Sequence, residues 1–232
     1  MTHAAASAPH GHAPVHDEHT IGVYTQKLGM WIFLASEVMF FTALIGSYII
    51  VRWGSADVWP RPGDILNIPL TALNTFILIC SSVSMVKAYA AAVHDDQQGL
   101  RLWLLLTVLG GAIFVGVQAF EYWKLTHEGF LPSGLREGSE FFERATGGLI
   151  AGATGGTIEP AAANLFGSTF YIMTGFHGFH VSCGVVSMAY VTLQAFRGRY
   201  AGGKFEGIET IGLYWHFVDL VWIILFTIVY LF

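Results

Sequence analysis

The sequence predicts an all-α, polytopic membrane protein, a bundle of five transmembrane helices. Of its 232 residues, 54% are hydrophobic and 12% are charged, whereas a soluble domain carries about 25% charged residues. Five apolar runs are each long enough to cross a hydrocarbon layer of about 30 Å. The net charge of −5 gives no basis for a nucleic-acid partner. The predicted spans cover about 28–51, 69–93, 101–124, 164–196 and 208–232.

A polar segment, residues 1–27, precedes the first span. It has no basic region leading into a short apolar core, so no signal peptide is predicted. Its composition is too polar to fold alone, and we expect a disordered cytoplasmic tail in which any metal binding is adventitious. The chain therefore divides into a tail, 1–27, and a membrane domain, 28–232. The tail holds five histidines: His3, His10, His12, His16 and His19.

The first span, 28–51, contains a single carboxylate, Glu37, among apolar side chains. An ionised carboxylate at this depth costs roughly 3 kcal/mol or more, so such a residue normally faces a bundle interior and serves a function. A glutamate that only ties helices together by hydrogen bonds accounts for the same position equally well. Glu37 is therefore the first functional candidate, and the polar residues of the other spans decide between these two roles.

The second and third spans add three polar residues to the membrane interior. Asn74 lies in the second span, whose small residues favour close helix packing. Gln118 and Glu121 lie near the end of the third span, where Glu121 is also explained by a side chain that reaches the membrane interface. The short turn 94–99 makes these two spans antiparallel neighbours.

The fourth and fifth spans carry the remaining candidates. His177 and His180 are three residues apart in the fourth span, so both imidazoles project to nearby parts of one helix face. His216 and Asp219 have the same spacing in the fifth span. The long Gly- and Glu-rich connection 125–163 is predicted to be an extramembrane loop.

Positive charges predict the orientation of the spans. Five spans place the two ends of the chain on opposite sides, and Lys and Arg concentrate on the cytoplasmic side. With the N-terminus inside, more cations lie at the inner helix ends than at the outer ones, so we expect a cytoplasmic N-terminus and an outer C-terminus. The inner set is Lys27, Lys87, Arg101, Arg197, Arg199 and Lys204; the outer set is Arg52, Arg61 and Lys124.

Metal ligation is one chemistry that these residues suggest. His177 and His180 could both reach one metal ion. The carboxylates that could complete such a site are Glu37, Glu121 and Asp219, and the metalloenzyme alternative uses Glu121. The sequence has no HEXXH motif and no repeated histidine box. We therefore expect no metal or cofactor site in this chain, and a stand-alone membrane metalloenzyme stays as an alternative.

Proton handling and the fastening of helices are two further roles for intramembrane polar residues. In the predicted orientation Glu37, His216 and Asp219 all fall in the inner half of the membrane, so His216 and Asp219 are candidate neighbours of Glu37, although the sequence does not show which helices are adjacent. The sequence has neither the inverted repeat nor the broken helix pair of a secondary transporter. Fastening of helices by polar and small residues accounts for the remaining glycines and serines.

Five sequence motifs together resemble one known family, subunit III of the haem–copper terminal oxidases. They occur in the family's order and cover most of residues 28–232. The motifs are GMWIFLASEVMFF at 29–41, IPLTALNTFIL at 68–78, VQAFEYW at 117–123, FGSTFYIMTGFHGFHV at 166–181 and YWHFVDLVWIILF at 214–226.

The resemblance implies a five-helix bacterial form that lacks the first two helices of the seven-helix members. It further implies a multi-pass subunit of the bacterial inner membrane that binds phospholipid and packs beside subunit I. Haem and copper would belong to subunits I and II, and this chain would support proton uptake and turnover stability. Glu37 matches the family's carbodiimide-reactive glutamate. The matched histidines and Asp219 would structure the bundle and could supply the hydrogen-bond partner of Glu37.

The resemblance leaves several assignments open. Electrons would arrive from cytochrome c or another donor through subunit II, and the oxidase could join a respiratory supercomplex. Two related alternatives are subunit III of a quinol oxidase and an accessory protein of a nitric oxide reductase.

Overall fold

Five long helices make up most of the computed structural model, which describes residues 24–56, 59–132, 134–136, 138–139, 160–202 and 205–231. Each of the five is long and apolar enough to cross a membrane. The predicted all-α, five-span class is therefore confirmed. The helices are α1 (Thr25–Gly54), the short α2 (Pro62–Ile65), α3 (Ile68–Val93), α4 (Gln97–His127), α5 (Pro160–Phe196) and α6 (Glu206–Phe226), followed by a π-helical turn (Thr227–Leu231).

Two predicted segments fall largely outside the described residues. Of the tail 1–27 only residues 24–27 are described, and of the loop 125–163 residues 133, 137 and 140–159 are not. Within the described part of that loop, Phe130–Leu131 and Gly134–Leu135 pair as a two-residue antiparallel hairpin. The Tyr171 hydroxyl donates to the Phe130 carbonyl oxygen at 2.8 Å and fixes this hairpin to α5.

Two helices begin four residues before the predicted position. α4 begins at Gln97, where the side chain of Asp96 accepts a hydrogen bond from the Gly99 amide at 3.0 Å. A side-chain oxygen at this position satisfies one of the amides that a helix start leaves unpaired. α5 begins at Pro160, because a proline needs no amide partner in a first helical turn.

The close pairing of α3 with α4 follows from small residues at their contact. A β-carbon added at Gly110 would lie 2.7 Å from the Ser81 β-carbon. Only the missing side chain lets the two backbones approach this closely. The antiparallel pairing predicted from the short turn is confirmed by these contacts between the two helices.

The centre of the bundle lies between α4, α5 and α6, around one tryptophan. Trp215 is fully buried, and glycines on two other helices make room for its ring. A β-carbon at Gly111 or Gly184 would lie 2.5 or 3.0 Å from that ring. The Trp215 indole N–H donates to the Ser81 hydroxyl at 3.2 Å, which ties α6 to α3 as well.

Helix α1 lies at the edge of the bundle and packs on α5 and α6. Only Phe41 and Tyr48 are buried among its residues, and its outer face exposes large apolar side chains such as Met39 and Trp53. At one end, Lys27 forms an ion pair with Glu209 of α6. Helix α1 is therefore attached to the bundle by few contacts, and its polar contacts make up a larger share of that attachment than in the other helices.

Candidate functional site

The carboxyl group of Glu37 meets a histidine across the interface of α1 and α5. The His180 Nε2 atom lies 3.1 Å from the Glu37 Oε2 atom. The two side chains are only 13% and 16% exposed in the isolated chain. The structure thus assigns the lone carboxylate of the first span a titratable partner.

The tautomer of His180 is set by the backbone of its own helix. Its Nδ1 atom lies 2.7 Å from the carbonyl oxygen of Phe176. A carbonyl oxygen only accepts hydrogen bonds, so Nδ1 carries a proton. In the neutral imidazole Nε2 is then the free acceptor, and it faces Glu37.

One proton therefore lies between the Glu37 and His180 side chains. Either a protonated Glu37 carboxyl donates to Nε2, or an imidazolium donates to the Glu37 carboxylate. Both arrangements leave the pair without net charge, which is the condition that a weakly hydrated environment favours. The geometry can exchange these two forms by moving one proton along a single hydrogen bond.

Aromatic rings and one further hydrogen bond fix this pair in place. The ring centroids of Phe41 and His180 are 5.2 Å apart, and those of Phe40 and His180 are 6.4 Å apart. From α6, the Tyr214 hydroxyl donates to the His180 carbonyl oxygen at 2.8 Å. Three helices therefore meet at His180.

His216 and Asp219 lie elsewhere, in contact with α3. The His216 Nδ1 atom is 2.7 Å from the Ser82 hydroxyl oxygen, and Asp219 is buried at 7% exposure. Among the described residues, Glu37 forms its side-chain hydrogen bond with His180 and with neither of these two. Of the residues that the sequence left open as partners of Glu37, the structure places His180 beside it, and neither His216 nor Asp219.

Glu121 belongs to a separate buried cluster at the other end of α4. The Thr71 hydroxyl donates to its Oε1 atom at 3.1 Å, and the Tyr230 hydroxyl donates to its Oε2 atom at 3.4 Å. Glu121 is 7% exposed, so its carboxyl points into the bundle and not to the membrane interface. This arrangement joins α3, α4 and the π-helical turn.

The buried amides of Gln118 and Asn74 bond to backbone carbonyls. The Gln118 side chain donates to the Thr174 carbonyl oxygen at 2.8 Å. The Asn74 side chain donates to the Phe114 carbonyl oxygen at 3.2 Å. Both contacts join neighbouring helices, which is the fastening role that polar residues have in membrane bundles.

His177 is fully buried and stacks on a tryptophan. Its ring lies 4.9 Å from the Trp222 ring at an interplanar angle of 26°, and neither ring nitrogen has a hydrogen-bond partner within the described structure. His177, His180 and Glu121 therefore have three separate surroundings. No group of three or more His, Cys, Asp or Glu residues in the described part of the chain is placed to hold a metal ion.

Comparison with known proteins decides the family. The family model described as cytochrome c oxidase subunit III matches residues 11–148 and 157–232. The chain belongs to the cytochrome c oxidase subunit III family.

Curated relatives agree with this family assignment over most of their length. Cytochrome c oxidase subunit 3 of Thermostichus vulcanus is 35% identical over 205 residues, covering 88% of this chain and 86% of the relative. The probable cytochrome c oxidase subunit 3 of Nocardia farcinica is 32% identical over 204 residues, with the same coverage. The Synechocystis subunit is 35% identical over 208 residues, covering 89% of this chain and 75% of the relative.

Membership in the subunit III family confirms the resemblance seen in the motifs. The chain is a multi-pass membrane protein of a family whose members are subunits of a respiratory oxidase complex. Within this family member the geometry separates the candidates into the Glu37–His180 pair, the Glu121 cluster and the contacts of His216 with α3.

Two tyrosines of this subunit III family member were not predicted from the sequence as partners of the candidate residues. Tyr214 holds His180, and Tyr230 holds Glu121. Tyr214 begins the YWHFVD stretch, so its position beside other polar residues was a usable signal. Tyr230 lies in the apolar C-terminal end of the last span, where the sequence offers no comparable signal.

Proposed function

We propose that this chain is subunit III of a bacterial haem–copper cytochrome c oxidase, a subunit without redox centres of its own. In this proposal it packs beside subunit I, haem and copper lie in subunits I and II, and electrons arrive from cytochrome c through subunit II. It lies in the inner membrane with its N-terminus in the cytoplasm and its C-terminus outside. The names of the relatives support this proposal, as do five membrane helices.

Isolation of the complex tests this assignment. A pull-down of the chain from its native membrane in mild detergent, with mass spectrometry and an optical spectrum, should bring partner subunits with a-type haem absorbance. Haem of b or o type without any cytochrome c would assign the complex to the quinol oxidases. A chain that came down alone and colourless would contradict the proposal.

In the same proposal, the Glu37–His180 pair supports proton uptake by the neighbouring subunit and prolongs turnover. The observation that carries this role is the 3.1 Å contact between the two side chains. Because Nδ1 of His180 is occupied by the Phe176 carbonyl, the proton that the pair shares is carried by Nε2 or by the Glu37 carboxyl. A pair of this kind accepts and releases one proton without moving a helix.

Replacing Glu37 with Gln tests this role. An amide still donates to His180 Nε2, so the helix contact and assembly should survive, but an amide cannot release the proton. We expect E37Q to lower the number of protons pumped per electron or to shorten the turnover lifetime severalfold. Both are measured on the purified oxidase in vesicles, by proton release and by prolonged oxygen consumption.

Glu121→Gln is the matched control. It changes a second buried carboxyl in the same bundle, but one that is bonded only to hydroxyl groups. We expect E121Q to pump and to last as the unmodified oxidase does. An E37Q oxidase that is unchanged in both assays, or equal losses in the two variants, would remove Glu37 from the proton function.

A further inference from the structure

Tyr214 of α6 lies beside the Glu37–His180 pair and contacts both helices that carry it. Its hydroxyl group donates to the carbonyl oxygen of His180 on α5 at 2.8 Å. Its ring lies next to the ring of Phe33 on α1, with centroids 6.1 Å apart, and Phe33 is one helical turn before Glu37. The hydroxyl is also close enough to Glu37 for an electrostatic interaction between the two groups. The three helices therefore meet at this one side chain.

A glycine of α5 makes room for the tyrosine ring. Gly184 lies one helical turn after His180, and a β-carbon there would lie 3.1 Å from the Cε1 atom of Tyr214. The ring is thus packed directly against the α5 backbone, and it is only 8% exposed. A closely packed side chain keeps a single orientation. The Tyr214 hydroxyl therefore has a fixed direction, towards the His180 carbonyl.

The next two residues of α6 fix the rotation of that helix. Trp215 donates to the Ser81 hydroxyl at 3.2 Å, and the Nδ1 atom of His216 lies 2.7 Å from the Ser82 hydroxyl oxygen. Both serines belong to α3. Rotation of α6 about its own axis would break these two bonds, so Tyr214 is presented to α5 from a helix that is itself fixed.

The Glu37–His180 contact depends on the spacing of two helices. Its length of 3.1 Å is near the upper end of the normal range for such a bond, about 2.7–3.2 Å. Helix α1 buries only Phe41 and Tyr48, so few apolar contacts keep it at this spacing from α5. A small displacement of His180 would therefore separate the two groups that share the proton.

We propose that Tyr214 is a positioning residue for the Glu37–His180 pair. It keeps the His180 backbone at the place where Nε2 and the Glu37 carboxyl share one proton. Tyr214 makes no hydrogen bond to either of those groups and acts through the His180 carbonyl. The consequence for proton uptake rests on the function proposed above for the pair, whereas the positioning itself is measured by the chemical state of Glu37.

Labelling of Glu37 with dicyclohexylcarbodiimide, in membranes that contain the oxidase complex, tests the proposal. The reagent adds to a carboxyl group that carries its proton, and Glu37 is the one carboxyl of residues 28–51, so mass spectrometry of that peptide measures the labelled fraction. A carboxyl that loses its partner in a weakly hydrated place keeps its proton, because the charged form costs more there. We expect His180→Phe to be labelled faster than the unmodified chain and up to a higher pH. Tyr214→Phe should change both in the same direction, with a rate increase of about two- to tenfold, as for the loss of one hydrogen bond.

Tyr122→Phe is the matched control. It removes another tyrosine hydroxyl that bonds to α5, since the Tyr122 oxygen lies 2.6 Å from the Thr174 hydroxyl oxygen. We expect Y122F to be labelled at Glu37 as the unmodified chain is. An unchanged rate and pH profile in Y214F, or an equal change in Y122F, would overturn the proposal.

The pumping measurement on E37Q decides the proton function separately. Unchanged pumping in E37Q together with a changed labelling profile in Y214F would reject the proton role of the pair and still support the positioning role of Tyr214. Reduced pumping in E37Q with an unchanged profile in Y214F would do the reverse.

Discussion

At the scale of single residues, the two histidines of α5 differ in their hydrogen bonding. His180 uses both ring nitrogens, one on its own helix and one on Glu37. His177, three residues earlier, is fully buried and uses neither within the described structure. Sequence spacing predicted that both imidazoles lie near one face, but not that only one of them meets a carboxylate. Spacing fixes the direction of a side chain on its helix and says nothing of the helix opposite.

Replacing His177 with Phe separates packing from hydrogen bonding at this position. A phenyl ring keeps the stacking on Trp222 and removes two polar atoms that lack a partner among the described residues. We expect H177F to raise the stability of the bundle by about 1 kcal/mol, because burying an unpaired polar group costs roughly 1–3 kcal/mol. Thermal unfolding of the chain in detergent measures this.

His180→Phe is the comparison for that measurement. It leaves the Glu37 carboxyl without its partner, so we expect a loss of stability where H177F shows a gain. A loss in H177F as large as that in H180F would mean that the His177 ring has a polar partner, such as a buried water.

At the scale of helices, apolar run length determined most of what the sequence could predict. All five spans were recognised because 20 or so apolar residues leave few alternatives to a membrane helix. The starts of α4 and α5 were placed late because the Asp96 cap and the Pro160 start, and not the length of an apolar run, set where these helices begin. The sequence left the partner of Glu37 open among several residues, because depth in the membrane can be estimated from sequence, whereas the rotation of each helix depends on packing around glycines and Trp215.

Replacing Gly110 with Ala tests the contact between α3 and α4. The new methyl group would lie 2.7 Å from the Ser81 β-carbon, and overpacking of this kind costs about 1–3 kcal/mol. That cost exceeds the gain of up to about 1 kcal/mol in helix propensity. We expect G110A to lower the stability of the bundle by about 1 kcal/mol, as measured by thermal unfolding in detergent.

Gly116→Ala provides the control on the same helix. A β-carbon at Gly116 meets nothing within 4 Å, so only the gain in helix propensity should remain. We expect G116A to be neutral or slightly stabilising. If G110A were as stable as G116A, the close approach of the two helices would not depend on glycine.

At the scale of the whole molecule, the bundle has a packed centre and one helix at its edge. Trp215 joins α3 to α6 and fills the space left by glycines of α4 and α5. Helix α1 is added to this centre through the Lys27–Glu209 ion pair, the Glu37–His180 pair and the bond from Arg52 to Ile228. One of these three links, the Glu37–His180 pair, involves side chains to which we assign a role in function. The helix that is packed least therefore carries the carboxyl group of the proposed proton site.

The edge position of α1 also sets the order in which the chain can assemble. Glu37 and His180 are separated by 143 residues, and Lys27 and Glu209 by 182. At a synthesis rate of about 5–20 residues per second, the first helix waits roughly 7–30 s in the membrane before its histidine is made. During that interval the Glu37 carboxyl has none of its final contacts, and α1 is free to meet lipid or another polypeptide. Of the five described membrane helices, the first to be synthesised is thus among the last to be docked.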